Sequence, residues 1–138
     1  MSALLDSVDV LYRGVVSEPG EWNDQRFEDW ANSLGESSAL DKASSKYVRR
    51  VMTSARKLRT FWLSQPGSQE DDWRSRVDLA LGNRAWRPVL DLSMHELEKD
   101  PSYELFERTS DLFRSVNHEP YLDGIGFDAF LETRPRAD

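Results

Sequence analysis

Apolar residues recur at intervals of three and four along most of the chain, the repeat that turns one face of a helix toward a core. Leu4, Val8, Leu11 and Val15, with Leu5, Tyr12 and Val16 beside them, predict a first amphipathic helix over Ser2–Val16, which Glu18-Pro19-Gly20 ends. The alternation Val8-Val10-Tyr12 is the competing strand pattern and accounts for fewer of these apolar positions. Asn23 or Asp24 is placed to cap a short second helix on Phe27, Trp30, Ala31 and Leu34, with Gly35 where a helix C-terminus favours a left-handed residue. Ser37 and Ser38 offer N-caps for a long third helix that runs to about Leu63, where Gln65-Pro66-Gly67-Ser68 breaks the chain.

Glu70, Asp71 and Asp72 put negative charge at the start of a fourth helix striped by Trp73, Val77, Ala80 and Leu81, and Gly82 ends it. Pro88 belongs in a first turn, so a fifth helix starts near Arg87 and runs to Glu98 on Val89, Leu90, Met94 and Leu97. Asp100 as N-cap and Pro101 at the first helical position open a sixth, whose stripe of Leu105, Phe106, Thr109, Leu112, Phe113 and Val116 is the clearest in the chain. Beyond it, Pro120 and Asp123-Gly124 read as turn signals, and Phe127, Phe130 and Leu131 suggest one last short helix. The expectation is an all-α, compact bundle of six or seven helices with one long central basic-amphipathic helix. A single domain spans residues 1–133, and residues 134–138 form a frayed tail. No internal repeat or low-complexity tract points to a solenoid.

Composition narrows the class. At 138 residues, with fifteen aromatics from Tyr12 to Phe130, the chain has the size and apolar content of one folded domain rather than a disordered segment. Asp6 and Asp9 interrupt the only N-terminal apolar stretch, no basic residues precede it, and no apolar run approaches the roughly 20 residues of a membrane span, so neither a signal peptide nor a transmembrane helix is expected. The absence of cysteine removes disulfides, thiolate nucleophiles and thiolate metal sites, and suits the cytoplasm. Fourteen of the eighteen basic residues are Arg, which a GC-rich genome explains as readily as bidentate recognition does.

Charge is distributed unevenly along the chain. Lys42 to Gln69 holds seven basic residues and no acidic one, and the rest of the chain then carries 25 acidic residues against eleven basic, a net −14. At 100° per residue, Tyr47, Val48, Val51, Met52, Ala55, Leu58 and Trp62 fall on one side of the third helix and Lys42, Lys46, Arg49, Arg50, Arg56 and Lys57 on the other. Three readings compete for the basic face: neutralisation by the acidic remainder, a docking surface for an acidic protein, and a phosphate or nucleic-acid footprint. Glu18, Glu21, Asp24, Glu28 and Asp29 just upstream and Glu104, Glu107 and Asp111 on the sixth helix make neutralisation easy to arrange. A remainder of −14 repels a polyanion, which ranks nucleic acid below a protein partner.

Catalytic signatures are absent from the pattern. His95 shares a helix face with Asp91 and Glu98, but that face lies opposite the apolar stripe, so Asp91 and His95 are expected as a surface pair rather than metal ligands. His118, just before Pro120, reads as a surface or capping histidine, and Asp123-Gly124-Ile125-Gly126 matches no phosphate-binding loop. Of five tryptophans, Trp30, Trp62 and Trp73 fall on apolar stripes, whereas Trp22 and Trp86 lie in connections and are the better candidates for a partner surface.

The sequence therefore suggests a helical protein-interaction module, an adaptor or regulator without catalytic activity or cofactor. Its partner surface comprises Lys46, Arg49, Arg50, Arg56, Lys57, Trp22 and Trp86. A nucleic-acid or phosphate binder using the basic segment 42–59 is the alternative, and an enzyme without a recognisable motif comes third.

Overall fold

Helices account for nearly all of the chain that the structure, a computed structural model, describes: residues 3–37, 41–64, 72–117 and 126–133. In order these are α1 (Ala3–Ser17), α2 (Asp24–Ser37), α3 (Lys42–Ser64), α4 (Trp73–Leu81), α5 (Arg87–Lys99), α6 (Tyr103–Asn117) and α7 (Phe127–Thr133), with short 3-10 turns at Pro19–Glu21 and Gly82–Ala85. No strand occurs among the described residues, and the expected all-α bundle stands. The competition over α1 is resolved by side-chain direction. Val8, Leu11, Tyr12 and Val15 are completely buried while Val10, the middle member of the alternating pattern, is 62% exposed. Only the helical period separates those positions in that way.

Caps explain where the predicted boundaries hold and where they move. Asn23 caps α2 by accepting the Arg26 amide at 2.9 Å, and the helix carries on through Gly35 to Ser37 instead of ending there. Asp41, not Ser37, caps α3: its carboxylate accepts the Ser44 amide at 2.7 Å and its carbonyl the Ser45 amide at 3.0 Å. Ser37 is the last residue of α2, and Ser38 lies outside the described residues. Gly82 ends α4 with a φ of +61°, a left-handed value that a side chain disfavours. Asp100 does not open α6; its amide closes α5 on the Glu96 carbonyl at 2.9 Å. Pro101 then acts as the stop after a helix, and Ser102 caps α6 through the Leu105 amide at 3.1 Å. The predicted turns around Gln65–Ser68 and Asp123-Gly124 lie outside the described residues.

The core runs along α1 and the inner face of α3, where Ser44, Val48, Val51, Ala55, Leu58 and Trp62 are buried. α3 packs against α1, α4 and α5, and α5 lies between α3 and α6. This two-sided contact buries Leu92 and Ser93 in addition to the predicted Val89, Leu90 and Leu97. On α6, Leu105, Phe106, Thr109 and Val116 are buried, while Leu112 and Phe113 are half-buried at the edge of the core. Two polar links fix the helices laterally. The Ser93 and Thr109 hydroxyls hydrogen-bond each other between α5 and α6, and Arg108 reaches from α6 to Asp6 and Asp9 on α1 at 2.7 and 2.8 Å.

Candidate functional site

The basic face of α3 faces away from this core, and its cations divide into two groups. Arg50 pairs with Asp91 of α5 at 2.7 Å, sharing that carboxylate with Arg87 at 3.4 Å. Arg56 pairs with Asp24 of α2 at 2.6 Å and lies over the Phe27 ring at 4.8 Å. Arg59, which half-buries, donates from Nε to the Pro19 carbonyl at 2.9 Å. The bundle thus neutralises or engages the arginines at the flanks of the face. Lys42, Lys46, Arg49 and Lys57 are exposed and form no ion pair with any described residue.

Those four are spaced at four, three and eight positions, with Thr53 between Arg49 and Lys57, so they lie along one line on the helix surface. The line covers about 22 Å at 1.5 Å per residue. The Thr53 and Thr60 hydroxyls on it are turned inward, to the Arg49 and Arg56 carbonyls at 3.1 Å each, and so leave the charge to the cations. Leu63, 51% exposed, stands at the C-terminal end of the same side. Lys42 occupies the first turn of α3, where the helix dipole disfavours a positive charge, and no acidic residue shares that turn.

At the N-terminal end, Asp41 joins α3 to α5. Besides capping, it faces His95 Nε2 at 3.3 Å and Lys99 Nζ at 3.5 Å. The Ser44 backbone amide, foremost, with the Ser44 side chain, His95 and Lys99 acting the same way against partial desolvation, holds the Asp41 carboxyl well below the ordinary carboxylate range. The expected Asp91–His95 pair is therefore not formed. α5 rolls His95 toward α3, where its ring also meets Tyr47 at 5.6 Å between centroids, and Asp91 is taken by Arg50 and Arg87. Among the described residues no three His, Asp or Glu side chains converge as a metal site would require. His118 lies outside them.

Trp22 and Trp86 are not on this surface, and their placement there is corrected. Trp22 is 3% exposed, seated on Gly14 of α1 and packed against Phe27 at 5.4 Å, with the Arg26 guanidinium covering it at 4.4 Å. Trp86 is 6% exposed, packs on Tyr12 at 5.3 Å and donates its indole N–H to Asp78. Connections hold them, yet the chain folds each connection onto α1, and an indole that reaches a buried neighbour is worth more there than in water. Asp41 and Leu63 are the surface features that the reading of the sequence passed over. An Asp three residues before Ser44 is a legible cap signal; its link to His95 across 54 positions is not.

Comparison with protein-family models, with curated proteins and with solved structures gave no match.

Proposed function

We propose that the protein is a non-catalytic helical interaction module, an adaptor or regulator, whose exposed α3 face docks an acidic segment of a partner protein in the cytoplasm. The observation that carries this reading is the division of cations on α3. Arg50, Arg56 and Arg59 have partners within the fold, while Lys42, Lys46, Arg49 and Lys57 lie in line with no ion-pair partner among the described residues. Like charges crowded on one face repel, and Lys42 opposes the helix dipole as well, so folding gains nothing from them. A row of carboxylates supplied by a partner reverses that sign.

Chemistry selects the partner class. Cations at helical spacing over about 22 Å match an amphipathic acidic helix of four turns or so, and exposed Leu63 offers an apolar contact at one end. The net −14 of the remaining chain works against a polyanion that extends past the stripe. No helix of the described residues is long and apolar enough to cross a membrane.

Fluorescence anisotropy with a synthetic amphipathic peptide, carrying Glu at three- and four-residue spacing and Leu on its flank, tests the reading against labelled mixed-sequence duplex DNA and RNA. The expected result is salt-sensitive peptide binding that weakens by about tenfold or more in the double variant Arg49→Glu, Lys57→Glu while the unfolding midpoint holds or rises. Arg56→Glu, which breaks the Asp24 pair, is expected to lower the midpoint. Nucleic-acid binding tighter than the peptide, with log affinity falling at about 0.9 per phosphate in log salt, overturns the protein-partner reading. So does a peptide affinity that the double reversal leaves unchanged.

A further inference from the structure

Apart from the α3 face, a concave site lies where α1, α4, α5 and α6 meet, and no residue of α3 lines it. Its volume is about 110 Å³. Leu5, Val89, Leu112 and the Trp86 ring supply its apolar lining, α4 contributes Arg74 and Asp78, and α6 adds Ser115 and Asp111, the latter paired with Arg114 at 3.1 Å. Arg108 and Asp9 also border it, but they are engaged with each other at 2.8 Å, and Arg108 is held a second time by Asp6.

Arg74 and Asp78 behave differently. They stand four positions apart on one face of α4, the spacing at which such a pair normally closes, yet no ion pair joins them. Asp78 is turned away by the Trp86 indole, which donates to its Oδ1 and leaves Oδ2 open. Arg74 lies over the Trp73 ring at 5.2 Å and makes a loose ion pair at 3.8 Å with Asp9, a carboxylate already held by Arg108 at 2.8 Å, so the pairing adds no hydrogen bond from its guanidinium. An acceptor and a cationic donor are thus kept about one helical turn apart in a recess that also carries an apolar patch of Leu5, Val89 and Leu112.

The geometry points to a binding site for a small zwitterionic amino acid with an aliphatic side chain. Its ammonium group donates to Asp78 Oδ2, its carboxylate accepts from the Arg74 guanidinium, and its side chain enters the recess over Leu5, Val89 and Leu112. The size agrees: a dry apolar cavity of about 150 Å³ holds a benzene ring, so a smaller one suits a branched side chain of valine or leucine size. A ligand carrying one charge leaves either Asp78 or Arg74 without its new partner, and sites built for two polar groups discriminate strongly against the analogue that lacks one. This site is independent of the α3 face, and either can fail alone.

Calorimetry and protein-detected NMR on the full chain, with L-leucine, 3-methylbutylamine and 4-methylpentanoate as probes, test the assignment. L-leucine is expected to bind with a Kd at or below the low millimolar range, about tenfold tighter than either single-charge analogue. Shifts should cluster on α4, α6, the start of α5 and the Leu5–Asp9 turn of α1, and Arg49→Glu, Lys57→Glu should leave them unchanged. Asp78→Asn keeps the acceptor for Trp86, and Arg74→Gln gives up the exposed contacts with the Trp73 ring and Asp9 together with the charge; each should weaken leucine by about fivefold or more with the circular dichroism spectrum preserved. Absence of binding at about 10 mM L-leucine, amine or carboxylate binding equal to leucine, or shifts confined to α3, overturns it.

Discussion

Tyr12→Phe isolates one interaction that ties the first helix to the second half of the chain. Tyr12 is completely buried, and its hydroxyl donates to the Ala85 carbonyl at 2.6 Å across 73 positions, from α1 to the 3-10 turn that precedes α5. Phenylalanine keeps the ring and its contact with Trp86 at 5.3 Å, so almost no apolar burial is lost. What remains is a fully buried Ala85 whose carbonyl has lost this donor, at a cost of about 1–3 kcal/mol. For a domain between the usual small and medium classes, that lowers the thermal midpoint by about 4–12 °C. Reversible urea titration at constant m, checked by scanning calorimetry, measures it. A loss below about 0.5 kcal/mol shows that the carbonyl finds another donor and refutes the argument.

The same substitution has a pH signature. Burial pushes the Tyr12 phenol well above its ordinary value, and a hydrogen bond with the Ser54 side chain opposes that by less. A folded-state value raised above the unfolded one gives stability that is whole below about pH 10 and is lost as pH climbs toward the folded value. The wild type should therefore lose midpoint on its alkaline limb more steeply than Tyr12→Phe does.

Gly14→Ala should destabilise the protein although alanine favours a helix. A Cβ there meets Trp22 Nε1 at 2.6 Å, and the ring is confined by Phe27 and Arg26, so overpacking of about 1–3 kcal/mol outweighs the gain of up to about 1 kcal/mol in propensity. A denaturant midpoint that rises would show that the indole moves freely. Asp41→Asn keeps an acceptor for the Ser44 amide but gives up the charge facing His95 and Lys99. Because the Asp41 carboxyl is held low in the folded state, its contribution is present above about pH 4 and lost as pH falls through the folded value, so the variant should flatten that part of the acid limb in midpoints measured from neutral pH downward. Identical acid limbs in the two proteins would remove Asp41 from the account.

Local periodicity and punctuation were enough to expect a bundle of six or seven helices and to locate those seen among the described residues, because a buried stripe must repeat every three or four residues along its own helix. That rule needs no partner to be read. Leu58 and Trp62 inside, and Lys46 and Arg49 outside, follow from it directly. The same holds for Gly82 as a helix end, since φ of +61° is a property of one residue. What required the tertiary structure were the relations between positions far apart in the chain. Trp22 and Trp86 sit in connections by sequence but are seated on Gly14 and Tyr12 once those connections fold over α1. His95 leaves Asp91 for Asp41 because α5 is wedged between α3 and α6, and not merely laid on a core. The excess of positive charge on α3 was plain from composition. Which cations the fold engages was decided by Asp91, Asp24 and the Pro19 carbonyl, groups brought to α3 from other segments. Side-chain pattern is a local property of a helix, whereas an ion pair or a ring contact is a distance, and distances between separate segments exist only after the chain has packed.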